Sequence, residues 1–504
     1  MAISLVLLCL AVVIAMYFLN NPLKHTRRFM IRRFLNWFPL GMSYAFLYMG
    51  RYNLNVAKNA LGAAITKEDF GIIFAVGTTV YACSFFLNGP LVDRYGGKKG
   101  ILVATLGGAI FNALMGLATY LFLIGKWTTN LTLTFSILYA LNMFFQSYGA
   151  VSIIKVKAYW FHVRERGLFG AIFGTLISFG VYFAFDWGQA IVDAVKANVT
   201  TAPEGLLGMI RTVFAITDGK TDAVWAVFFV PAVILVFWAL LDVLMIKDTP
   251  DEAGFDSFDP ADASSDIGDK EYTMGELLKL IFTNPILLTV ALVEFTSGVL
   301  RNGIMQWYLI FAKEPGHLSN EFLVKNWGLV MMVTGIIGGF AAGLISDKVF
   351  HSRRGPPAVI LNAIMLVCMG GMVFTLNSSP TAVAIFISFH ALAVIGVHSI
   401  MSGTAAADFG GRKATATASG ITDACVYLGS GVQSLALGYI TTADWSFWPV
   451  FLLPFTAAGL LLAARLWKHL PEATRRYLVT VEKVTVVVQT ETIEAEIVQP
   501  GPNF

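Results

Sequence analysis

Hydrophobic residues fall along this chain in long runs that are separated by short polar stretches. A membrane-spanning helix needs about 20 mostly apolar residues, and thirteen runs approach that length. The predicted spans are 3–19, 36–62, 71–92, 100–124, 132–158, 167–194, 223–246, 284–312, 322–346, 356–376, 381–406, 414–440 and 447–468. The pattern therefore predicts an all-α membrane protein, with one extra N-terminal helix before a body of twelve.

The first run, "AISLVLLCLAVVIAMYFLN", has the length of either a cleaved signal peptide or a retained membrane helix. Signal peptides carry a basic segment before the apolar run and small residues at the cleavage site. Here no basic residue precedes the run, and "YFLNNP" is a poor cleavage site. We therefore predict a retained anchor helix.

Composition agrees with a membrane protein rather than a soluble enzyme. The chain is 56% hydrophobic and 13% charged, whereas soluble proteins average about 25% charged residues. Its motifs include no nucleophile–base pair, no phosphate-cradling glycine loop, no nucleotide-hydrolysis motif and no metal-ligand spacing. We therefore predict that the protein is not an enzyme, that it needs no cofactor or metal, and that it does not bind nucleic acid.

Lysine and arginine residues crowd alternate connections between the predicted spans. Cytoplasmic loops carry such an excess, so both ends of the twelve-helix body are predicted to lie in the cytoplasm and residue 1 outside. The basic positions are Lys24, Arg27, Arg28, Arg32, Arg33, Arg94, Lys98, Lys99, Arg164, Arg166, Lys348, Arg353, Arg354, Arg412, Lys413, Arg475 and Arg476.

One long cytoplasmic connection divides the body into two sets of six helices. It contains "KDTPDEAGFDSFDPADASSDIGDKEY", an acidic stretch with Pro, Gly and Ser, which is typical of a flexible linker. The predicted organisation is an anchor helix and basic linker at 1–35, a first bundle at 36–246, a linker at 247–283, a second bundle at 284–470 and a cytoplasmic tail at 471–504.

The two sets of six helices carry similar features at similar offsets. "NGPLVDRYGGKK" follows the second body helix and "AGLISDKVFHSRRG" follows the eighth, which places Asp93 and Asp347 254 positions apart. Two arginines within spans, Arg51 and Arg301, are 250 positions apart. We therefore predict duplicated halves, an arrangement that many secondary transporters build around a site at the middle of the membrane.

Arg51 and Arg301 lie near the centres of their spans, where a charged side chain is costly and usually functional. A two-fold relation between the halves brings them together across a central cavity. A guanidinium stays protonated, and its forked donors match the oxygens of phosphate or carboxylate. The pair is therefore predicted to bind a doubly charged anion. In the alternative, Glu294, seven residues before Arg301 on nearly the same helical face, neutralises that arginine.

The sequence resembles the major facilitator superfamily over residues 36 to about 470. The resemblance rests on "GPLVDRYGGKKG", which fits the superfamily signature of the loop between helices 2 and 3. It implies two six-helix bundles and a cytoplasmic gate, whereas in the alternative these basic loops only fix the orientation. The implied gating residues are Asp93, Arg94, Lys98, Asp347 and Lys348.

Within that superfamily, "YAFLYMGRYNLNVA", "VLRNGIMQWYL" and "FFQSYGAVSIIKVKAYWFHVRERG" resemble the organophosphate:phosphate antiporter family. The resemblance implies that Arg51 and Arg301 bind the phosphate group. The chain departs from the family where a helix 2 lysine is replaced by Phe85 and a helix 4 arginine by Lys155. Lys58 either supplies the missing charge or reaches the outer interface. The other predicted substrate-binding residues are Tyr44, Tyr48, Tyr81, Gln146 and His398.

These observations predict a secondary active transporter for glycerol 3-phosphate or a sugar phosphate, exchanged for inorganic phosphate by alternating access. It is expected to be a monomer in a plasma or bacterial inner membrane. One alternative is proton-coupled transport of a carboxylate, in which Glu294 takes up the proton and Asp423 is a further candidate for coupling. The other alternative is a membrane sensor of a sugar phosphate that signals to a partner protein.

Overall fold

The computed structural model describes residues 2–162, 165–196, 205–214, 222–256, 274–350, 353–409 and 411–468. Within these ranges the regular structure is entirely helical. The predicted all-α class is therefore confirmed. The predicted cytoplasmic tail at 471–504 and residues 257–273 of the predicted linker lie outside the described residues.

The N-terminal half is built from long helices joined by short connections. Its helices are α1 (Ala2–Leu19), α2 (Arg27–Leu61), α3 (Lys67–Tyr95), α4 (Gly97–Leu123), α5 (Leu131–Trp160), α6 (Arg166–Tyr182), α7 (Gly188–Ala194), α8 (Gly205–Val213) and α9 (Ala226–Met245). A π-helical turn, Phe183–Trp187, joins α6 to α7, and short 3₁₀ turns occur at Gly62–Ala64 and Asp251–Ala253.

The C-terminal half repeats this plan after the linker. Its helices are α10 (Met274–Thr283), α11 (Pro285–Met305), α12 (Tyr308–Lys313), α13 (Glu321–Lys325), α14 (Trp327–Leu344), α15 (Gly355–Thr375), α16 (Pro380–Phe409), α17 (Gly411–Ala443) and α18 (Phe447–Arg465). A π-helical turn at Ile345–Val349 extends α14.

Ten of the thirteen predicted spans fall on a single long helix, and the spans at 167–194, 284–312 and 322–346 each cover two consecutive helices. Ten helical segments within the described residues are long and apolar enough to cross a membrane, and α1 contributes a shorter apolar segment, Ser4–Leu19. Helix α2 begins at Arg27, nine residues before the predicted span, where the Thr26 side chain caps it by accepting a hydrogen bond from the Phe29 amide (3.3 Å). The difference arises because hydropathy predicts membrane contact, whereas capping determines where a helix begins.

Helices pack mainly within each half. In the first half α2 lies against α6 and α9, while α4 and α5 pack on each other. In the second half α11 contacts α16, α17 and α18, and α15 packs between α16 and α18. This packing places α2 and α11, which carry the two arginines, at the centre of their respective halves.

The halves meet along α3 with α17 and along α6 with α14. The backbones of α3 and α17 come close at Gly71 of α3, where a Cβ atom would lie 2.6 Å from the Ser434 carbonyl oxygen and 3.0 Å from the Gly438 Cα. Only glycine allows two backbones to come this near. By the predicted topology, this contact is at the outer end of the molecule.

A buried ion pair lies near the opposite end, where α2 begins. Arg33 donates from Nη1 and Nη2 to the two carboxylate oxygens of Glu165 (2.8 Å each), from Nη1 to the Trp160 carbonyl (3.2 Å) and from Nε to the Tyr17 hydroxyl (3.0 Å). Burial alone would raise the pKa of Glu165, but hydrogen bonds from His25 and Arg33 lower it to about 2. Because Tyr17 belongs to α1, this ion pair also attaches the N-terminal helix to the body.

Candidate functional site

Arg51 lies at the centre of the molecule, buried in α2 and only 1% exposed. Its guanidinium donates hydrogen bonds from Nε to the Gln146 side-chain oxygen (3.2 Å), from Nη2 to the Tyr81 hydroxyl (3.3 Å) and from Nη1 to the Tyr427 hydroxyl. Tyr427 belongs to α17, so one of these contacts joins the two halves. All three acceptors are neutral, and the positive charge of Arg51 therefore has no carboxylate within the hydrogen-bonded set.

Aromatic rings enclose the same guanidinium. Its carbon lies 4.7 Å from the ring centre of Tyr48, 4.6 Å from that of Tyr81 and 5.4 Å from that of Tyr427. Tyr44 packs edge-on against Tyr48, with ring centres 5.4 Å apart. Ring faces attract a cation weakly, so the tyrosines predicted to line the cavity hold Arg51 without neutralising it.

Arg301 occupies the corresponding position of the second half and is surrounded differently. It is 7% exposed, and its Nε and Nη2 groups have no hydrogen-bond partner in the described part of the chain. It lies within electrostatic range of Arg51, Tyr48 and Tyr52. Buried donors are almost always hydrogen-bonded, so these two N–H groups are the strongest candidates in the site for binding an anion.

Glu294 does not neutralise Arg301. Its Oε2 forms a hydrogen bond with Nδ1 of His398 (2.8 Å), and its Oε1 has no partner among the described residues. Asp423, on α17, lies within electrostatic range of His398, Glu294 and both arginines. The interpretation of Glu294 as the partner of Arg301 is therefore wrong, and the two predicted acids instead lie beside the arginine pair.

Lys58, the predicted replacement charge, lies apart from this centre, whereas Phe85 packs against it. Lys58 is half-buried towards the end of α2, within electrostatic range of Glu314 and Lys67 rather than among the hydrogen-bond partners of Arg51. Phe85 is buried, with its ring centre 5.0 Å from that of Tyr81 and 6.3 Å from that of Tyr427. Phe85 thus supports the aromatic wall, and no lysine occupies its place.

Of the predicted gating residues, Asp93 and Arg94 lie at the C-terminal end of α3, Lys98 lies at the start of α4, and Asp347 and Lys348 lie in the π-helical turn after α14. Asp93 forms an ion pair with Nζ of Lys155 (3.0 Å). Lys98 donates from Nζ to the Val243 carbonyl (2.8 Å), and the Arg94 guanidinium lies 5.4 Å from the ring centre of its neighbour Tyr95. Lys348 is exposed, whereas the side chain of Asp347 lies outside the described residues.

Polar contacts also join the halves at the end that is predicted to be outside. The Asp186 carboxylate accepts hydrogen bonds from the backbone amides of Gly328 (2.7 Å) and Leu329 (3.0 Å), at the start of α14. Lys67 of α3 forms an ion pair with Glu314, which follows α12 (3.0 Å). We call these two contacts the outer latch.

Sequence reasoning assigned no ligand role to Tyr427 and no latch role to Asp186. Tyr427 lies one helical turn after Asp423, which places both on one face of α17. That spacing, together with the aromatic residues near Arg51, is the signal that could have identified it. Asp186 binds backbone amides of the other half, which any non-proline residue can supply, so the types of its partner residues gave no signal in the sequence.

A Major Facilitator Superfamily profile matches residues 40–434. The membrane sensor protein UhpC of Salmonella typhimurium is 24% identical over 452 residues, covering 88% of this chain and 93% of its own. The glycerol-3-phosphate transporter of Bacillus subtilis is 25% identical over 439 residues, covering 84% and 90%. A probable hexose phosphate transport protein of Chlamydia pneumoniae is 24% identical over 478 residues, covering 90% and 94%.

These three relatives are all members of the organophosphate:phosphate antiporter family, so the predicted resemblance is confirmed. Among solved structures, the chain is similar to the transporter FucP in its outward conformation, with a TM-score of 0.57 and 14% identity over 86% of this chain and 99% of FucP. At that identity, the structural likeness concerns the fold alone.

Proposed function

The chain belongs to the Major Facilitator Superfamily, and from that premise we propose that it is a secondary active transporter of a phosphorylated small organic anion. The proposed substrate is glycerol 3-phosphate or a sugar phosphate, exchanged for inorganic phosphate. The relatives named for glycerol 3-phosphate and hexose phosphate support this substrate class.

The observation that carries the proposal is the arginine pair at the centre of the molecule. Both arginines are buried, and within the described residues neither forms an ion pair with a carboxylate. Two N–H groups of Arg301 have no hydrogen-bond partner there. Guanidinium groups bind phosphoryl oxygens through paired, charge-assisted hydrogen bonds. In the proposed mechanism, the phosphoryl group lies between the two guanidinium groups and offsets their mutual repulsion.

Exchange follows from the same charges. The empty carrier keeps two like charges close together, so it crosses between inward-facing and outward-facing states slowly, while a bound anion allows the halves to rock. In this proposal, the outer latch closes the outer end in the present conformation. The Asp93–Lys155 ion pair then belongs to the cytoplasmic gate, and both contacts rearrange once per cycle.

The proposed setting is a cell membrane, with both ends of the twelve-helix body in the cytoplasm and residue 1 outside. The contrast between basic and basic-poor connections supports this orientation. We propose that the monomer is the transporting unit, because each chain contains both arginines.

The test is transport by the purified protein in liposomes loaded with phosphate. External radiolabelled glycerol 3-phosphate and glucose 6-phosphate should enter only when phosphate is present inside. Arg51→Lys and Arg301→Lys should each reduce exchange by about 100-fold, because a lysine cannot make the paired contacts. Arg465→Lys, at an exposed position, is the matched control. Exchange that survives both central substitutions unchanged would exclude the proposed arginine clamp.

A second candidate function is proton-coupled transport of an organic anion, favoured by the Glu294–His398 hydrogen bond beside the arginines. Uptake that is driven by a pH gradient, with no phosphate inside the liposome, would support proton-coupled transport.

The similarity to a protein named as a membrane sensor favours a third candidate function, sensing of a sugar phosphate. Binding of a sugar phosphate without measurable flux would support that function.

A further inference from the structure

One face of α11 carries three polar side chains whose hydrogen-bonding groups are buried and unused. Glu294, Ser297 and Arg301 are spaced three and four residues apart, which places them on one helical face. Within the described residues, Oε1 of Glu294, Oγ of Ser297 and two guanidinium nitrogens of Arg301 have no partner. Unsatisfied groups at this density are rare in native interiors, so this face is suited to a ligand with more than one polar end.

The two ends of this face require opposite ligand chemistry. Arg301 offers donors, whereas Glu294 offers an acceptor that is held in place by His398 (2.8 Å). Seven residues of helix separate them, which corresponds to about 10 Å along the axis. That separation accommodates a phosphate ester bound at one end, with a short organic chain or a sugar ring that reaches the other end.

The charged side chains of the site indicate which chemical group the organic end of the ligand should carry. Asp423 lies within electrostatic range of Arg51, Arg301, Glu294 and His398, so two carboxyl groups and an imidazole lie near the two guanidinium groups. Neither acid forms an ion pair with a lysine or arginine within the described residues. A phosphate dianion on the guanidinium groups therefore comes near two carboxyl groups that have no lysine or arginine partner, and negative charge buried without a cationic partner is unfavourable.

We propose that the preferred substrate is a phosphate monoester whose organic part carries an amine, with the phosphate between Arg51 and Arg301 and the ammonium group on Glu294. This inference rests on the proposed function and specifies its substrate class. The ammonium group donates to the unused Oε1 of Glu294, and the Ser297 hydroxyl accepts a second hydrogen bond from the organic part. The cationic group also offsets the excess negative charge that an anion alone would introduce.

The repeat gives this end of the site a distinct origin. At the 250-residue offset of the two arginines, the counterpart of Glu294 is Tyr44. Tyr44 packs against Gly149, where a Cβ atom would lie 3.1 Å from its ring. The N-terminal half thus fills the equivalent space with an aromatic ring, whereas the C-terminal half has an acid and an imidazole. The ammonium site therefore belongs to one half only, while the phosphate site is shared between both.

The experiment measures competition against phosphate–phosphate exchange in liposomes at fixed pH, with pairs of compounds that differ only in an amine. The pairs are glucosamine 6-phosphate with glucose 6-phosphate, and ethanolamine phosphate with ethylene glycol phosphate. In the wild type, the amine member of at least one pair should compete about tenfold better, because it gains a buried charge contact. Equal competition within both pairs, with phosphate exchange intact, would overturn the inference and leave the proposed function standing.

Variants locate the preference. Glu294→Gln should remove the difference within a pair, scored as a ratio so that any change in overall rate cancels, and Glu294→Asp should reduce it. Glu321→Gln, at an exposed position on α13, should keep the wild-type ratio. A preference that persists in Glu294→Gln would overturn the assignment to Glu294.

Better competition by the hydroxyl members of the pairs, with proton uptake into the liposome at each turnover, would also overturn the proposed amine preference. It would indicate that Glu294 and His398 carry a proton. Absence of any phosphate exchange would instead refute the proposed function.

Discussion

Buried arginines occur in two regions of this molecule, and their surroundings differ. Near the start of α2, Arg33 forms a two-pronged ion pair with Glu165, and a carbonyl and a hydroxyl take further donors. At the centre, Arg51 has only neutral acceptors and Arg301 leaves two donors unused in the described structure. Arg33 shows how this protein satisfies a structural arginine. The central pair departs from that pattern, as expected of residues that receive their counter-charge from a ligand.

The largest expected effect is on the free energy of unfolding, from a substitution in the Arg33–Glu165 ion pair. Glu165→Gln should lower the free energy of unfolding by about 3–5 kcal/mol, because Arg33 then stays buried without its carboxylate. Denaturant unfolding of the purified protein in detergent measures the change. Glu321→Gln, an exposed control, should stay within about 0.5 kcal/mol of wild type. Unchanged stability with loss of phosphate binding would instead place Arg33 and Glu165 in the ligand site.

The same ion pair should make the protein sensitive to acid. The pKa of Glu165 is about 2 in the folded protein, below the value of about 4.3 expected in an unfolded chain. Folding lowers this pKa, so the stabilisation is complete above about pH 4.3 and is lost as the pH falls through 2, up to about 3 kcal/mol. The gap in stability between wild type and Glu165→Gln should therefore narrow across this window. A constant gap would contradict the ionised pairing.

The central arginines should instead govern the response to ligand. Phosphate at 100 times its dissociation constant should stabilise the wild type by about 2.7 kcal/mol, seen as a rise in the thermal midpoint. Arg301→Lys and Arg51→Lys should each lose most of this rise, whereas Glu165→Gln should keep it despite a lower starting midpoint. An equal rise in all four proteins would remove the distinction between the two regions.

The smallest effect separates the two central arginines in the absence of ligand. Arg301→Met should raise the free energy of unfolding by about 1–3 kcal/mol, because it removes buried donors that have no partner. Arg51→Met should lower it by a similar amount, since Gln146, Tyr81 and Tyr427 lose their shared donor. Unfolding in phosphate-free detergent measures both changes. Destabilisation by both substitutions to the same extent would show that Arg301 is satisfied in the free protein.

Hydropathy was sufficient to predict where the long apolar helices lie, because a membrane span must be long and apolar whatever its neighbours are. The offset between Arg51 and Arg301 was also informative, since a repeat relates positions in space as well as in sequence. The pairing of Glu294 with His398 could not be predicted in this way. The two residues are 104 positions apart, and the choice between His398 and Arg301 depends on how α11 and α16 face each other. The hydrogen bond from Arg51 to the Tyr427 hydroxyl could not be predicted either, because it forms only where α2 and α17 of the two halves meet.

The glycine contact between the halves has a practical consequence. At Gly71 the backbones of α3 and α17 touch, with 2.6 Å between the site of a Cβ atom and the Ser434 carbonyl oxygen. An alanine there adds one methyl group to a space that backbone atoms already occupy. We expect Gly71→Ala to raise the energy of the conformation in which α3 and α17 touch, and so to favour the conformation in which these helices are apart. The substitution offers a way to trap the outward-facing state for imaging and for selecting conformation-specific antibody fragments.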